Sequence, residues 1–585
     1  MKWLRILTLT IVSALLFTAC AGVDPMEASE NTNESHNTKV ELSQGDYFSQ
    51  RDLLGSYNAE SCAIIELTGA GASCSSDAVI IEGSTITICD EGSYLLCGTL
   101  SNGMVIVDAG EDDKTQLILQ NASIHSQTSA PIYVRQADKV FLTLDNGSEN
   151  LLSCGDSYVA IDENNIDSVI FSMEDLCLNG SGSLSLSSPA GHGIVSKDEL
   201  TLAGGSCISI DCAGHGLSAN DSICIENTNL IISAGKDGIK SENDEDSSLG
   251  YIYIQNGSYA IQSEGDGISA GATLSIDGGS FQLLTGGGYQ NGEVKTSEDR
   301  GQMGGGGRGG FPRPEASTSS NEDSTSIKGL KSTGLMTING GSFSIDSADD
   351  AVHSNGDLII NGGAYTIKSG DDGFHADLAL AVNGGSILIQ ESYEGLEGLS
   401  IEINGGTIDL TASDDGFNAA GGTDRSGFGG MRGGDRFGGM GGSSDSFIRI
   451  SGGIVNIHAY GDGMDANGAL EISGGDITVC CPTFGDTAVL DYEISGRISG
   501  GTFRGTGAYQ MAQTFSDTQQ AVIAVSVGSQ RAGTEISLTN SNDTQLISYS
   551  PALDFAIVIL SSPELIHGDT YTITVGEVSG NVTAN

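Results

Sequence analysis

The sequence predicts an all-β fold, a parallel β-helix built from rungs of about 22 residues and followed by a β-rich C-terminal cap. A short phrase, usually an acid followed by glycine, recurs at a nearly constant interval along the chain. Each repeat holds short strands joined by Gly-Gly turns, and no stretch of useful length shows a helical period. One repeat cannot bury its apolar edge alone, so neighbouring repeats must stack into a solenoid.

The glycine of this phrase defines the period. Starting from Gly193, its position recurs at 216, 238, 267, 329, 351, 373, 395, 416 and 463. Most of these intervals lie within a residue of 22, whereas a β-propeller needs about 40 to 50 residues per blade. Two insertions, 286–326 and 421–444, interrupt the period. Both are rich in Gly, Arg, Phe and Met, and we expect either flexible loops or flaps that present Arg308 and Arg432 to an anionic polymer.

The N-terminus predicts export. The apolar run Ile6–Phe17 is too short to span a membrane, so it indicates a signal peptide. It continues to Cys20 in a stretch that resembles the lipobox of bacterial lipoproteins; the alternative is an ordinary signal peptide with an incidental cysteine. We therefore expect an extracytoplasmic protein that contacts the bacterial membrane only through a lipid on Cys20.

The chain is expected to divide into five consecutive parts. The regular repeats are preceded by less regular strands and followed by longer ones, and a polar segment separates them from the signal peptide. The predicted parts are the signal peptide 1–20, a tether 21–47, irregular coils 48–190, the regular β-helix 191–505 and the cap 506–585.

The charge balance limits the partners. The chain carries 76 Asp and Glu residues against 24 Lys and Arg, and its net charge is −52. Nucleic acids and anionic lipid headgroups are poor partners, because phosphate recognition needs clustered basic side chains. The excess of acidic residues favours metal cations as partners, or a carbohydrate that is bound through cations. A negative net charge can also serve solubility alone. We expect a monomer.

Stacking turns each position of the repeat into a column with about 4.8 Å between rungs. The position that opens each repeat is acidic in most rungs, and in three rungs a second acid precedes it. Two like charges at this spacing repel by roughly 3–4 kcal/mol at an effective dielectric of about 20, so the stack needs raised pKa values or bound cations.

Calcium is the cation that these side chains favour, because it takes about six to eight oxygen ligands. The alternative is that the acids cap turns, as Asp and Asn commonly do. No zinc spacing is present, and we expect His353 and His375 to be hydrogen-bonded turn residues rather than zinc ligands. The expected Ca²⁺ ligands are Asp349, Asp350, Asp371, Asp372, Asp377, Glu394, Glu397, Asp414, Asp415, Asn418, Asp462 and Asp465.

Several phrases together resemble a known family. They are Ala351–Gly356, Asp371–Asp377, Tyr393–Glu397, Asp414–Ala420, Gly461–Asp465 and Leu490–Tyr492, accompanied by the Gly-rich insertions and the lipoprotein signal. The chain resembles surface carbohydrate-binding β-helix lipoproteins, which are similar to calcium-dependent pectate lyases. The resemblance implies a right-handed β-helix, bound calcium and polygalacturonate-type ligands, without established lyase activity. Lys328 departs from the pattern because it replaces an opening acid.

Three functions are compatible with these sequence features. The leading hypothesis is a surface protein in which calcium bridges the acids of the chain to those of an acidic polysaccharide. We expect Arg308, Arg432, Lys331, His353 and His375 to contact that polymer. The second is a β-eliminating polysaccharide lyase, in which Lys331 or Lys240 would serve as the base. The third is an adhesin that binds no sugar.

Overall fold

The fold is almost entirely β-structure. The computed structural model describes residues 47–292, 326–420, 446–485, 487–510 and 512–585. Within these ranges the helical segments are two short 3₁₀ turns, Ala59–Ser61 and Tyr289–Asn291. Most strands pair in parallel with the equivalent strand of the next repeat, so that each turn of chain adds one rung. This confirms the prediction of an all-β parallel solenoid.

The first strand of each rung belongs to the opening sheet, which carries the acidic column. In this sheet Val352 is paired with Phe374, and Phe374 with Leu396. Its strands are Thr85–Ile88, Met104–Asp108, Ile132–Gln136, Ser168–Ser172, His192–Ser196, Leu217–Ala219, Ile239–Ser241, Ile268–Ala270, Leu330–Ser332, Val352–Ser354, the first halves of Phe374–Val382 and Leu396–Ile403, Phe417–Ala419, Met464–Ala466 and Asp491–Tyr492.

The second strand of each rung belongs to the middle sheet. In two rungs the opening and middle strands run on without a break, which gives the long strands Phe374–Val382 and Leu396–Ile403, whose second halves lie in this sheet. The other strands are Lys139–Leu144, Asp175–Gly180, Glu199–Leu202, Ser222–Ile225, Tyr251–Ile254, Leu274–Ile276, Met336–Ile338, Leu358–Ile360, Phe447–Ile450, Ala469–Ile472, Ser495–Ile498 and Asp517–Thr518.

The third strand completes the rung and forms the closing sheet. Its strands are Glu149–Cys154, Ser183–Ser188, Cys207–Cys212, Thr228–Ala234, Gly257–Ser263, Ser280–Thr285, Ser342–Ser347, Ala364–Ser369, Ser386–Glu391, Thr407–Ala412, Ile454–Ala459, Asp476–Cys480 and Thr502–Gly507. Before these regular rungs lie three long parallel strands, Ala63–Gly69, Gly92–Leu100 and Lys114–Ser126. Two short strands pair antiparallel with their neighbours in the chain, Ala72–Ser73 with Ala63–Gly69 and Val79–Glu82 with Thr85–Ile88.

The pairing changes after the last closing strand. Val522–Gln530 and Phe555–Ser561 pair antiparallel, and the latter also pairs antiparallel with Thr502–Gly507. This region also contains a separate four-stranded antiparallel sheet, whose apolar side chains form one buried cluster with those of Val522–Gln530 and Phe555–Ser561. The strands of this separate sheet are Ile536–Thr539, Gln545–Tyr549, Thr570–Val575 and Val578–Thr583.

The coil interior is filled by alternating inward side chains of the three sheets. On the closing sheet, Tyr259, Phe281, Phe343 and Tyr365 form one continuous stack whose neighbouring rings are 4.5, 4.6 and 4.8 Å apart. These separations match the spacing of strands in a sheet, so one buried ring per rung is enough to continue the stack.

The turn between the middle and closing strands uses the Gly-Gly pairs seen in the sequence. The second glycine has a positive φ, for example 104° at Gly363 and 97° at Gly385, a conformation that a residue with a side chain rarely adopts. The asparagine before each pair continues a ladder, because Asn383 donates to Asn361 and Asn361 donates to Asn339, both at 2.8 Å.

Several predicted features lie outside the described residues. They are the signal peptide 1–20 with Cys20, the tether up to residue 46, most of the insertion 286–326 with Arg308, and the whole insertion 421–444 with Arg432. No helix in the described ranges has the length and apolarity needed to cross a membrane.

Candidate cation site on the opening sheet

The opening sheet carries two polar columns. The opening column consists of the residues that begin each rung, and the second column lies three residues further along each rung. The second column is in register from rung to rung and reads Ser218, Lys240, Ser269, Lys331, His353, His375, Glu397, Asn418, Asp465 and Asp491.

The opening acids serve the fold directly. The Oδ1 atom of Asp237 accepts a hydrogen bond from the backbone N–H of Asp266 in the next rung, at 2.8 Å. The same bond recurs from Asp372 to Asp350 at 3.0 Å, so each acid holds the start of the rung that follows. One carboxylate oxygen of each of these acids therefore has the turn-capping role that was the alternative to metal binding. The Oδ2 atoms of Asp237 and Asp350 contact other side chains.

Lys328 places a cation inside the opening column. Its side chain is fully buried, and Nζ lies 3.0 Å from Asp349 Oδ2 and 2.8 Å from Asp350 Oδ2. Burial opposes ionisation of Asp350, but Lys328 and His353 outweigh it and hold the pKa of Asp350 well below its usual value. The ligand atoms of Asp349, Asp350 and Asp371 lie within 4.8 Å of one another, so the ammonium occupies the edge of an acidic group.

His353 and His375 are stacked, with ring centroids 4.6 Å apart, and both are hydrogen-bonded. The Nδ1 atom of His353 lies 2.8 Å from Asp350 Oδ2, and Asn355 Nδ2 lies 3.1 Å from its Nε2. Burial and the Lys328 charge lower the pKa of His353 to about 4. A neutral ring that donates from Nδ1 and accepts at Nε2 satisfies both contacts.

His375 lies among three carboxylates. Its Nδ1 atom is 2.6 Å from Glu397 Oε2 and 3.1 Å from Asp372 Oδ2, and its Nε2 atom is 3.2 Å from Asp377 Oδ1. Burial disfavours the charged ring, but these carboxylates together raise the pKa of His375 well above its usual value. The three carboxylates thus favour the charged form of this ring, whose two nitrogen atoms face three carboxylate oxygens.

Glu394 is the opening residue of the next rung. Both of its carboxylate oxygens accept hydrogen bonds from Asn418 Nδ2, at 2.9 and 2.8 Å. Burial raises the pKa of Glu394 well above its usual value, and the charges of Glu397, Asp372 and Asp415 add to this effect. Asn418 is 9% exposed, and its other amide atom, Oδ1, is buried without a hydrogen-bond partner among the described residues.

Three acids of the following rungs, Asp415, Asp462 and Asp465, form the C-terminal cluster. One oxygen of each lies within 4.8 Å of the others. Burial is the main reason why the pKa of Asp415 lies well above its usual value, and the charges of Asp462 and Asp414 raise it further. Burial also raises the pKa of Asp465, to about 6. The strongest charge effects on these two acids thus come from other carboxylates.

Asn418 connects this cluster to the preceding rungs, because its strand pairs with Glu397 on one side and with Asp465 on the other. Its amide nitrogen faces Glu394, which leaves the amide oxygen as an additional neutral donor atom at the same level. Asn418 thus carries an unpartnered buried oxygen in the rung between Glu397 and Asp465, and carboxylate and amide oxygens are ligands that a hard divalent cation accepts.

The two candidate lyase bases both face acids. Lys331 is largely buried, with Nζ 3.0 Å from Ser326 Oγ and 3.9 Å from Asp266 Oδ2. Lys240 Nζ lies 3.4 Å from Asp237 Oδ2. Both lysines are therefore placed as ion-pair partners of the opening column.

The fold and these donor atoms can be compared with known proteins. Residues 82–373 match a family model described as carbohydrate-binding domain-containing protein. A curated protein of the same description from Acetivibrio thermocellus is 28% identical over 202 residues, 34% of this chain and 62% of the relative. The chain thus covers less than two thirds of that protein.

A solved structure is also similar in sequence. It is described as the polysaccharide lyase-like protein from C. thermocellum, in a gadolinium derivative, and is 30% identical. The similarity covers 39% of this chain and 92% of that chain, with a TM-score of 0.38. The family match includes Lys328 and His353 but ends before Glu394 and the C-terminal cluster.

The expected ligands left out two residues in or beside these columns. Asp266 belongs to the opening column and accepts the backbone N–H of Lys328 at 2.7 Å. Asn355 contacts both His353 and Asp377. Like Asp377, it lies two residues after a member of the second column, and this position could have marked it as a candidate. The sequence also indicated the buried ion pairs of Lys328, because a lysine replaces an acid there within a column of acids.

Proposed function

We propose that this chain is a cell-surface protein that binds an acidic polysaccharide of the polygalacturonate or pectin type through calcium. The family match supports the carbohydrate part of the proposal. The observation that carries the calcium part is the C-terminal cluster of three close carboxylates, in the same stack of rungs as the unpartnered oxygen of Asn418. A cation there would relieve the repulsion between rungs and accept carboxylates of the polymer.

Calcium is the cation proposed because every donor in this group is an oxygen. Calcium binds carboxylate and amide oxygens at variable geometry, whereas zinc prefers nitrogen and sulfur ligands in a tetrahedral arrangement. The acids nearer the N-terminal end contact Lys328 and the protonated His375. We therefore place calcium at the C-terminal cluster and Asn418, in preference to the rungs that begin at Asp350 and Asp372.

The remaining expectations from the sequence belong to the same proposal. We propose that the protein is exported, anchored through a lipid on Cys20, and monomeric. The coil is proposed to be right-handed with rungs of about 22 residues, and the antiparallel strands after 505 to form a cap that shields its last rung. A cap of this kind protects the exposed edge of a sheet from pairing with other chains.

A retention assay tests the function. Immobilised polygalacturonate is incubated with the soluble protein in calcium or in EDTA, and ultraviolet absorbance is followed together with retention. We expect retention in calcium and its loss in EDTA, without new absorbance. Absorbance from an unsaturated product would identify a lyase instead, and equal recovery with and without calcium would contradict the proposal.

A variant pair locates the ion. Asp465→Asn should weaken both calcium binding in calorimetry and retention on the polymer, because it removes one charged donor from the cluster. Asp244→Asn is the matched control, since it removes the same charge from an exposed loop outside the column. Equal calcium affinity in the two variants would place the ion elsewhere.

A further inference from the structure

Exposed aromatic side chains are concentrated in one region. In the ranges that the structure describes, the exposed aromatic residues are Tyr460, Phe484 and Tyr509, with 45%, 67% and 59% of their surface accessible. The other aromatic residues in those ranges are buried or half-buried. Apolar side chains scattered singly over a surface are ordinary, but a grouping of this kind indicates an interaction site.

The three residues follow three consecutive strands of the closing sheet. Tyr460 comes directly after Ile454–Ala459, Phe484 follows Asp476–Cys480, and Tyr509 follows Thr502–Gly507. These strands are neighbours in the stack, with His458 paired to Cys480 and Cys480 paired to Thr506. Each aromatic residue lies two to four positions beyond this aligned level. The rings therefore occur once per rung, at the corner where the closing sheet turns towards the opening sheet.

The same corner leads directly into the C-terminal cluster. Tyr460 stands two residues before Asp462, and the intervening Gly461 packs so closely that a side chain there would collide with the carboxylates of Asp414 and Asp415. The backbone N–H of Gly461 also donates to the Asp414 carbonyl oxygen at 2.7 Å. The backbone that bears the first ring is thus packed against the acids.

The second ring is connected to the cluster by a short loop. Thr487 Oγ1 donates to the backbone oxygen of Phe484 at 3.2 Å, and the side chain of Thr487 is buried. The next residue, Ala488, donates its N–H to Asp462 Oδ1 at 2.5 Å. These two hydrogen bonds connect the backbone of Phe484, through Thr487 and Ala488, to one of the proposed calcium ligands.

A polyuronate chain has the chemistry that this corner accepts. Its sugar rings present C–H bonds on their faces and carboxylates on their edges. The face of an aromatic ring carries partial negative charge and attracts such partly positive C–H bonds, whereas the cation attracts the carboxylates. Binding sites commonly combine aromatic surfaces with a few polar or metal contacts that fix orientation.

We propose that Tyr460, Phe484 and Tyr509 form an aromatic row on which the sugar rings of an acidic polysaccharide stack, along the coil axis and beside the C-terminal cluster. This inference rests on the proposed function. It places a ligand-contacting surface beyond residue 373, where the family match ends.

Calorimetric titration of the soluble protein with polygalacturonate oligomers in calcium tests the row. Tyr460→Ala, Phe484→Ala and Tyr509→Ala should each weaken binding by roughly twofold to tenfold, since an aromatic contact is worth about 0.5–1.5 kcal/mol. Calcium affinity measured without the polymer should stay unchanged. Tyr460→Phe should bind the oligomer like the unmodified protein, because the ring is retained.

Ile566→Ala is the matched control, since it removes an exposed apolar side chain of the C-terminal region that lies outside this corner. Unchanged oligomer binding in the variant that lacks all three rings would overturn the aromatic row while leaving calcium-dependent retention intact. A change in oligomeric state by sedimentation, with unchanged oligomer binding, would also overturn it by assigning the row to contact with a second copy. Failure of the unmodified protein to bind the oligomer would refute the proposed function together with the row.

Discussion

Several opening acids divide their two oxygens between the backbone and the other side chains of the columns. Asp350 gives Oδ1 to the backbone N–H of Asp372 and Oδ2 to Lys328 and His353. The backbone hydrogen bond and the side-chain contacts of the column therefore depend on the same residue, and replacement of such an acid removes both at once. The partner residues separate the two roles, because they touch only the second oxygen.

Lys328→Met should destabilise the protein strongly. It removes the ammonium from a fully buried position beside Asp350, and loss of one partner from a buried ion pair costs about 3–5 kcal/mol. Urea unfolding measures the change in the free energy of unfolding. Lys114→Met is the control, because Lys114 pairs with Asp138 near the surface and an exposed pair contributes about 0–1 kcal/mol. Similar losses in both variants would contradict an internal counter-ion.

Asp175 should make stability depend on pH. Burial and, to a smaller extent, the charge of Glu199 raise its pKa to about 6, whereas the charge of Lys139 lowers it. The folded state therefore keeps a proton that the unfolded chain has already lost, so this contribution is complete below about pH 4 and disappears as the pH rises through 6. We expect the contribution to be about 2 kcal/mol, discounted for the solvent that reaches this half-buried group.

Asp175→Asn tests this dependence in urea unfolding at pH 4 and pH 7. The amide cannot titrate but keeps an oxygen for the backbone N–H of Glu199, which Asp175 Oδ1 accepts at 3.3 Å. Relative to the unmodified protein, the variant should be more stable at pH 7 than at pH 4. A constant difference at the two pH values would exclude Asp175 as the titrating group.

The aromatic stack is the main packing device of the closing sheet at the scale of single elements. Phe343 is 2% exposed and stacks on Phe281 and Tyr365 at once. Removal of its ring leaves a cavity between two rungs, because the neighbouring strands are held by their own backbone hydrogen bonds and cannot collapse into it.

Phe343→Ala should lower the free energy of unfolding by about 3–5 kcal/mol, as expected for a large buried aromatic side chain. Chemical denaturation measures the loss. Ser344→Ala, the next residue on the same strand, has its side chain outside the coil and should change stability by less than about 0.5 kcal/mol. Equal effects at 343 and 344 would mean that this stack does not hold the rungs together.

The repeats in the sequence were sufficient to predict the elements, because side-chain burial and turn glycines recur in every rung. The short strands Leu358–Ile360 and Ala364–Ser369 lie where the alternating residues indicate. The roles of single side chains were harder to predict. The contact of Asn418 with Glu394 depends on rotamers in adjacent rungs, and the exposure of Phe484 depends on the path of a turn that lacks the repeat pattern.

The net charge of −52 affects the whole molecule. Self-repulsion opposes the folded state, and rungs that contain an internal cation resist it better than rungs that contain only acids. Lys328 and His375 lie among the acids of the earlier rungs. The C-terminal cluster is therefore where a bound ion should change stability most.

Calcium should raise the thermal midpoint of the soluble protein more than sodium chloride at equal ionic strength. An ion that binds only the folded state stabilises it by about 2.7 kcal/mol when its free concentration is 100 times Kd, whereas sodium merely screens the charges. Calorimetric scans in each salt measure the difference. Asp465→Asn should remove most of it, and the same shift in both salts would show that the effect is screening.

The bond from each opening acid to the next rung also bears on how such a coil evolves. A copied rung brings an acceptor for the rung after it and a donor for the rung before it, so duplication within the gene preserves this contact on both sides of the insertion. Exchange of an opening acid for lysine, as at position 328, changes the charge of a single level. The number of rungs and the charge of each rung can thus vary separately during descent.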